Sequence, residues 1–162
     1  MAERNMPSSP DVPLDELYGE MIIDHYRNPR HSDPVPVADL EAEEDNPFCG
    51  DRVTLRLKLD EDGRIAEVGI QTDGCSIIKA TASMMGEALR WKSLEQVDRL
   101  AQRFRDMMQG KLTAEGEEES LGDLKALQAV MQFPVRIKCT LLAWTALEKG
   151  MKSYRSSQAR DQ

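Results

Sequence analysis

The sequence predicts an α+β fold, in which a small antiparallel sheet of about three strands carries helices packed mainly on one face. Apolar residues alternate with polar ones over positions 53–59, return over positions 65–70, and are separated by the turn-forming segment 60–63. This pattern is typical of a hairpin of half-buried strands. From residue 76 onward the apolar residues follow helical spacing instead. Strands followed by helices favour an α+β arrangement over alternating βαβ units.

The first part of the chain is predicted to contain a tail, a helix and one short strand. Residues 1–13 hold three prolines and two serines and are expected to form a flexible tail. Apolar side chains then recur at helical spacing, at Leu14, Leu17, Tyr18, Met21, Ile22 and Tyr26. Asn28 precedes Pro29 and should end this helix, because the residue before proline avoids helical geometry. Segment 30–48 is rich in proline and acidic residues and has room for one short strand.

Two helices are predicted after the hairpin. Residues 76–91 form the first, and its apolar stripe runs through Ile77, Ala80, Met84, Ala88 and Trp91. Ser93 should cap the second, with Gln96 three positions later as its capping-box partner. Gly110 is the expected stop of this helix, and the acidic segment 111–119 should be a loop.

Two further helices complete the prediction. Apolar spacing over residues 121–131 indicates a third helix that ends near Pro134, and residues 137–150 indicate a last one. The polar stretch 153–162 is expected to be a flexible C-terminal tail. We therefore predict a single domain over residues 14–152 with a tail on each side.

Composition and charge exclude several classes of protein. The chain has 162 residues, of which 40% are hydrophobic and 31% charged, as expected of a folded globular protein rather than a disordered one. A net charge of -8 argues against a nucleic-acid partner, because phosphate binding needs a basic surface. No apolar run approaches the length of a membrane span, and no secretory signal is recognised, so a cytoplasmic location is expected. In that reducing compartment three cysteines indicate metal binding or catalysis rather than disulfides.

The cysteines Cys49, Cys75 and Cys139 are the main candidates for chemistry. Thiolates are preferred ligands of soft or borderline metals, and three of them with Asp51 would complete a tetrahedral zinc shell. The two open ends of an antiparallel hairpin lie at one edge, which brings Cys49 and Asp51 towards Cys75. Gly50 permits a tight turn that lets its two neighbours face one point. The alternative is that the cysteines are buried as small hydrophobic residues.

The last two cysteines are placed where the backbone favours an anion. Cys75 opens a helix after Gly74, and Cys139 is expected in the first turn of the last helix. Free N–H groups and the helix dipole stabilise a thiolate at such positions. Arg136 and Lys138 would offset part of the negative charge of the site, or both would simply belong to a solvated helix face.

Other candidate ligands are weaker. His25 and His31 lack the paired spacing of zinc-binding histidines, although imidazole is a common ligand. The methionine pairs at 84–85 and 107–108 are interpreted as core residues rather than as a soft-metal site. The sequence shows no phosphate-binding Walker loop, dinucleotide fingerprint, zinc-protease motif or nucleophile elbow.

Four segments in order carry a family resemblance. They are Asp24-His25-Tyr26-Arg27-Asn28-Pro29-Arg30, Asn46-Pro47-Phe48-Cys49-Gly50-Asp51, Gly74-Cys75-Ser76-Ile77 with Ala82-Ser83-Met84-Met85, and Arg136-Ile137-Lys138-Cys139 with Leu142-Ala143-Trp144. Over residues 14–152 the chain resembles the SufU branch of the U-type iron–sulfur assembly proteins, which are related to IscU. Lys138 stands where IscU-type proteins carry a histidine, and the 64 positions between Cys75 and Cys139 (139 − 75) are also typical of the SufU branch. Departures at Asp73, Ile78 and Thr81 concern only the detailed conformation of the Cys75 loop.

The resemblance implies an IscU-like fold and a zinc site made by Cys49, Asp51, Cys75 and Cys139. It implies a SufS-type, pyridoxal-phosphate-dependent cysteine desulfurase as partner and an iron–sulfur scaffold downstream. The implied activity is that of a sulfurtransferase that accepts persulfide sulfur from the desulfurase. In doing so it also activates the desulfurase.

Our hypothesis for the roles is that Cys49 accepts the sulfur, because its glycine-containing loop is expected to be the most mobile of the three, and that Arg136 supports the site or orients the partner. Two alternatives remain open at this point. The same ligands would also suit a scaffold on which an iron–sulfur cluster is assembled, or a structural zinc site in a protein-interaction module.

Overall fold

The structure is a computed structural model, and it describes residues 19–46, 50–111 and 121–160. Three antiparallel strands form its sheet in the order β1 (Leu40–Asn46), β2 (Asp51–Leu59) and β3 (Ile65–Asp73). Strands β2 and β3 are the predicted hairpin, and β1 is the short strand expected within segment 30–48. The predicted antiparallel sheet of three strands is confirmed.

One face of the sheet carries the core. Along β2 the side chains of Val53, Leu55 and Leu57 are fully buried, whereas the residues between them point to the other face. On that outer face Arg52 and Arg56 form ion pairs with glutamates of the neighbouring strand β1. The helices therefore cover one face, as predicted, because only that face has apolar side chains to bury.

The described residues form four α-helices and one 3₁₀ helix on that side of the sheet, and two of them, Ser76–Leu89 and Pro134–Arg160, pack directly on the strands. In chain order the helices are α1 (Glu20–Arg27), α2 (Ser76–Leu89), α3 (Leu94–Met108), the 3₁₀ helix Gly122–Gln132 and α4 (Pro134–Arg160). Helix α1 ends at Asn28 as predicted, while residues 14–18, expected to begin it, lie outside the described residues. None of the helices in the described ranges combines the length and the apolar character that a bilayer crossing needs.

Helix α2 is central rather than amphipathic. Ten of its 14 residues are buried, so the single apolar stripe predicted from the sequence understates its burial. The prediction that Trp91 belongs to this stripe is wrong, because the helix ends at Leu89 and Trp91 is 56% exposed. Arg90 adopts extended geometry, and the Trp91 N–H then donates to the Ile65 carbonyl at 2.7 Å. This contact ties the end of α2 to the start of β3.

The predicted boundaries of α3 are confirmed in detail. The Ser93 hydroxyl accepts from the Gln96 N–H, and the Gln96 side chain accepts from the Ser93 N–H, which is a complete capping box. Gly110 follows the helix with φ of 76°, the left-handed conformation that ends many helices.

The third predicted helix is present but is wound as a 3₁₀ helix. Its buried apolar residues recur every three positions, at Leu121, Leu124, Leu127 and Val130. A helix with 3.0 residues per turn aligns such a set on one face, whereas an α-helix would spread it. The tighter winding therefore follows from an exact spacing of three.

Helix α4 is longer than predicted. It begins at Pro134, a residue tolerated in the first turn, and continues through Gly150 to Arg160. Gly150 is not a stop: it packs against β1, where a Cβ would lie 2.8 Å from Leu40 Cδ2. Residues 153–160, predicted to be a tail, are thus helical, and Arg155 of this segment pairs with Asp98 of α3 at 2.9 Å. The division of the chain into one domain and two tails stays a prediction.

Candidate metal centre

Three of the four predicted ligands converge at one end of the sheet. Asp51 is the first residue of β2, Cys75 is the N-cap of α2, and Cys139 lies in α4. One ligand atom from each lies within 4.8 Å of the other two. The hairpin brings Asp51 close to Cys75, because Arg52, which follows Asp51, is paired across the strands with Asp73, two residues before Cys75. Cys139 is brought to the site by tertiary packing, because it lies in α4, 64 positions after Cys75 in the chain (139 − 75).

The fourth predicted ligand, Cys49, lies outside the described residues. Its neighbour Gly50 has φ of 75°, a conformation that favours glycine, and its N–H donates to the Asn46 carbonyl at 2.8 Å. The positive φ of Gly50 is compatible with the tight turn that the sequence predicts at this glycine. The position of the Cys49 thiol stays a prediction.

Asp51 links the two described cysteines. It is only 2% exposed. The Cys139 thiol donates to Asp51 Oδ2 at 3.0 Å, and the Cys75 N–H donates to Oδ1 at 3.2 Å. These are the hydrogen bonds that the Asp51 carboxylate forms within the described ranges, and a buried carboxylate is costly to desolvate unless a cation or a proton also compensates it. The burial of Asp51 therefore fits a site that receives a cation.

Gly74 makes room for this carboxylate. A Cβ on Gly74 would overlap Asp51 Oδ1 and would lie 2.9 Å from Asp51 Cγ. Its φ of 148° is also one that side-chain-bearing residues rarely adopt. From the sequence, Gly74 was predicted only to precede a helix, and its role in making room for Asp51 was missed. The signal that could have revealed this role is a glycine at the end of a strand, next to a candidate ligand.

The pKa values of the two described thiols are shifted in opposite directions. The single S–H of Cys139, which also lies against Asp51 Oδ2, is shared with Cys75, and this hydrogen bond lowers the pKa of Cys75 from 9.0 to about 6, against the effect of burial. The Ile78 N–H and the Arg136 charge lower the pKa of Cys75 further. The pKa of Cys139 is raised by its hydrogen bond to Cys75, by burial and by the neighbouring Asp51. Without metal, these shifts favour the thiolate at Cys75 and the thiol at Cys139.

The position of Cys139 differs slightly from the prediction. Because α4 begins at Pro134, Cys139 lies in the second turn and not the first, away from the unpaired N–H groups of the helix start. Arg136 is half-buried in the first turn, and its charge favours the Cys75 thiolate. Lys138 is exposed, as expected of a solvated helix face.

The donor set fits zinc. Two cysteine sulfurs and one carboxylate oxygen are ligands that Zn²⁺ takes, and bond lengths of about 2.0–2.3 Å place tetrahedral ligand atoms within about 4 Å of each other. The observed spread of at most 4.8 Å needs only small side-chain adjustments to reach that distance. Among the residues described, these three form the only cluster of cysteine, histidine and carboxylate groups that is close enough for a metal ion.

The weaker candidates have other surroundings in the structure, and the methionines are core residues as predicted. His25 is buried, and its Nδ1 hydrogen-bonds with Ser83 Oγ at 2.7 Å. His31 Nε2 pairs with Glu87 at 2.6 Å. The four methionines at 84–85 and 107–108 are all buried in the core. Neither histidine belongs to the cluster of Asp51, Cys75 and Cys139.

A three-stranded antiparallel sheet with helices on one face, and two thiols and a carboxylate at one end, defines an α+β protein with a candidate thiol-based metal centre. Residues 17–161 match the model of the NifU-like N-terminal domain family, and the chain belongs to that family. This finding confirms the resemblance to the U-type assembly proteins.

Individual relatives refine this assignment. The chain is 45% identical over 138 residues to the zinc-dependent sulfurtransferase SufU of Bacillus subtilis, covering 85% of this chain and 91% of the relative. It is 38% identical over 148 residues to the iron–sulfur cluster assembly scaffold protein IscU of Streptococcus pyogenes, covering 90% and 89%. A crystal structure from Fervidobacterium islandicum AW-1, described as a candidate scaffold protein for the SUF system, superposes with a TM-score of 0.76 at 29% identity, covering 84% and 97%. These comparisons confirm the SufU resemblance and the IscU-like fold.

Proposed function

We propose that this chain is a zinc-dependent sulfurtransferase that accepts persulfide sulfur from a SufS-type cysteine desulfurase for iron–sulfur cluster assembly. The observation that carries the proposal is the convergence of buried Asp51, half-buried Cys75 and buried Cys139, which are thiol and carboxylate donors suited to zinc. A relative that is 45% identical is named a zinc-dependent sulfurtransferase, which supports this activity over the other activities of the family.

In this proposal Asp51, Cys75 and Cys139 would hold the zinc ion, with Cys49 as the fourth ligand. When bound, zinc keeps thiols deprotonated and protects them from oxidation. Asp51 orients the site, because its two oxygens hold the Cys139 thiol and the Cys75 backbone. Arg136 favours negative charge at Cys75 and is proposed to orient the partner.

The sulfur-transfer step is assigned to Cys49. Its thiolate attacks the terminal sulfur of the persulfide on the desulfurase. The S–S bond of the donor breaks, the cysteine of the desulfurase leaves as a thiolate, and a new persulfide forms on Cys49. The sulfur then passes to an iron–sulfur scaffold, and we place the reaction in the cytoplasm.

The deciding experiment mixes the zinc-loaded chain with its own desulfurase, pyridoxal phosphate and L-cysteine. Peptide mass spectrometry under non-reducing conditions should find one added sulfur atom on Cys49, and desulfurase turnover should rise. The Cys49→Ala variant should lose both effects. If that variant accelerates the desulfurase as the unmodified chain does, the role of Cys49 is wrong.

A scaffold that assembles a cluster on the same ligands is the second candidate, and the relative named IscU, 38% identical, favours it. Anaerobic reconstitution with iron and sulfide separates the two. A chain that retains zinc and shows no cluster absorption supports transfer, whereas a stable cluster that moves to an apo-acceptor supports the scaffold. If no thiol ever carries persulfide and the cysteine variants unfold, the zinc is structural.

A further inference from the structure

A small depression lies beside the thiol site, between the end of β3 and the first turns of α2. Its volume is about 190 Å³, and we refer to it as the Lys79 depression. Its polar lining consists of Arg30, Ser32, Gln71, Thr72, Lys79 and Ser83. Two of these side chains are cationic, and no carboxylate is among the described residues that line it. In a chain with net charge -8, this lining is locally positive.

The depression adjoins the candidate ligand Cys75. Lys79 lies one helical turn after Cys75, and its N–H donates to the Cys75 carbonyl at 3.4 Å. A turn of four residues advances about 6 Å along a helix. Thr72 lies three positions before Cys75, at the end of β3. A group bound to Lys79 would therefore lie about one helical turn from Cys75.

Lys79 carries the uncompensated charge. Arg30 donates to Asp24 at 2.6 Å, which neutralises part of its charge, although its Nη1 is buried without an acceptor. Lys79, in contrast, forms no ion pair and no side-chain hydrogen bond with any residue in the described ranges. A half-buried lysine without a carboxylate partner gains most from a ligand that supplies one.

The size of the depression limits what it can bind. Pockets for metabolites and drug-sized molecules are typically about 300–1,000 Å³, so 190 Å³ suits a single side chain or a small anion. The Ser32 and Thr72 hydroxyls add neutral hydrogen-bonding groups to the two cations. A carboxylate offers the acceptors that this combination needs.

The protein that supplies the carboxylate is inferred from the position of the Lys79 depression beside Cys75. This step rests on the function proposed above. The persulfide of the desulfurase must approach the thiols of this chain. The desulfurase surface around that persulfide will therefore cover the Lys79 depression. Because the chain as a whole is acidic, a local cation beside the site gives an acidic group on the partner one favourable place to dock. We infer that the Lys79 depression receives a carboxylate side chain of the cysteine desulfurase and so fixes the orientation of docking.

The test is a binding titration of the zinc-loaded chain with its cognate desulfurase by calorimetry, at low and high salt. The Lys79→Glu variant should raise the Kd about tenfold or more at low salt, since it replaces an attraction by a repulsion. The Lys79→Gln variant should raise it about threefold to fivefold and weaken its dependence on salt. Zinc content and thermal unfolding of both variants should equal those of the unmodified chain.

The matched control is Lys152→Glu, which makes the same change of charge on an exposed helical lysine of α4. Lys152 lies 13 residues after Cys139 (152 − 139), about 20 Å along the helix axis. This variant should bind within about twofold of the unmodified chain. If both glutamate variants weaken binding equally, only net charge matters and the inference is wrong. It is also wrong if Lys79→Gln binds as the unmodified chain does.

A charge swap identifies the partner group. If the inference holds, one acidic residue of the desulfurase, changed to lysine, restores binding of Lys79→Glu, and the other acidic positions do not. If none restores it, the carboxylate assignment is overturned. The proposed function is tested separately, because it fails if the unmodified chain neither binds nor accelerates the desulfurase.

Discussion

At the residue scale, Asp51 organises the site and Gly74 permits Asp51 to do so. The Asp51 carboxylate holds the Cys139 thiol with one oxygen and the Cys75 backbone with the other. It reaches this position because Gly74 has no side chain. The cysteines identify the site in the sequence, but its geometry depends equally on Gly74, which has no side chain.

We expect Gly74→Ala to raise the Kd for zinc about tenfold to a hundredfold, as changes in the groups that support metal ligands do. The new methyl group would overlap the Asp51 carboxylate and displace it. Competition with a chromophoric zinc chelator measures the effect.

The matched control is Gly63→Ala, at the β2–β3 turn. Gly63 also has a positive φ, 80°, but nothing lies within 4 Å of its added Cβ. This variant should lose about 1–2 kcal/mol of unfolding free energy from backbone strain, with zinc affinity unchanged. Equal zinc affinities in the two variants would contradict the proposed role of Gly74.

The thiols should react in a defined order in the metal-free chain. Because the pKa of Cys75 is lowered to about 6, its thiolate predominates at neutral pH and declines as pH falls through that value. The pKa of Cys139 is raised, so Cys139 should remain a thiol throughout. Alkylation by iodoacetamide from about pH 5 to about pH 8, mapped by peptide mass spectrometry, should modify Cys75 with a midpoint near 6.

Cys75→Ser is the control for this assignment, because it removes the alkylated peptide signal at position 75. Faster alkylation of Cys139 than of Cys75 would reverse the inferred distribution of charge.

At the scale of elements, Trp91 shows how a connection overrides a helical pattern. Its φ of 72° is costly for a bulky residue, and its ring is exposed beneath the Arg90 guanidinium, 4.8 Å from the ring centroid. The backbone is held there by the hydrogen bond to Ile65. The conformation therefore serves the link between α2 and β3 and does not bury the side chain.

Replacing Trp91 by glycine should accordingly leave the free energy of unfolding unchanged or raise it by up to about 1 kcal/mol, because glycine adopts a positive φ without strain. Urea denaturation measures this. The contrasting variant is Trp144→Ala, which removes a fully buried ring stacked on Phe104 and should cost about 3–5 kcal/mol. A loss above about 1 kcal/mol for Trp91→Gly would show that the exposed ring contributes to stability.

At the scale of the whole molecule, the site joins elements that are distant in sequence. Asp51 belongs to β2, Cys75 caps α2 and Cys139 lies in α4, so a metal ion bound there would tie the sheet to both helices. Zinc at about a thousand times its Kd stabilises the folded state by about 4 kcal/mol.

Removing the zinc with a chelator should therefore lower Tm by about 10 °C, as expected for a domain of this size. Differential scanning calorimetry of the loaded and stripped chain tests this. Cys139→Ser, which weakens the site, should unfold near the lower temperature with or without zinc. An unchanged Tm for the stripped chain would show that the ion does not connect these elements.

The sequence alone determined the hairpin, the capping box of α3 and the candidate ligands, because each depends on local spacing or on residue type. It placed Asp51 near Cys75 because antiparallel strands bring their ends together. Three features follow from tertiary packing alone: α4 brings Cys139 to the same point, the missing side chain of Gly74 leaves room for Asp51, and Lys79 lies one helical turn from Cys75 without an ion-pair partner among the described residues. These features depend on how separate elements pack, and packing is set by long-range contacts that a local pattern does not encode.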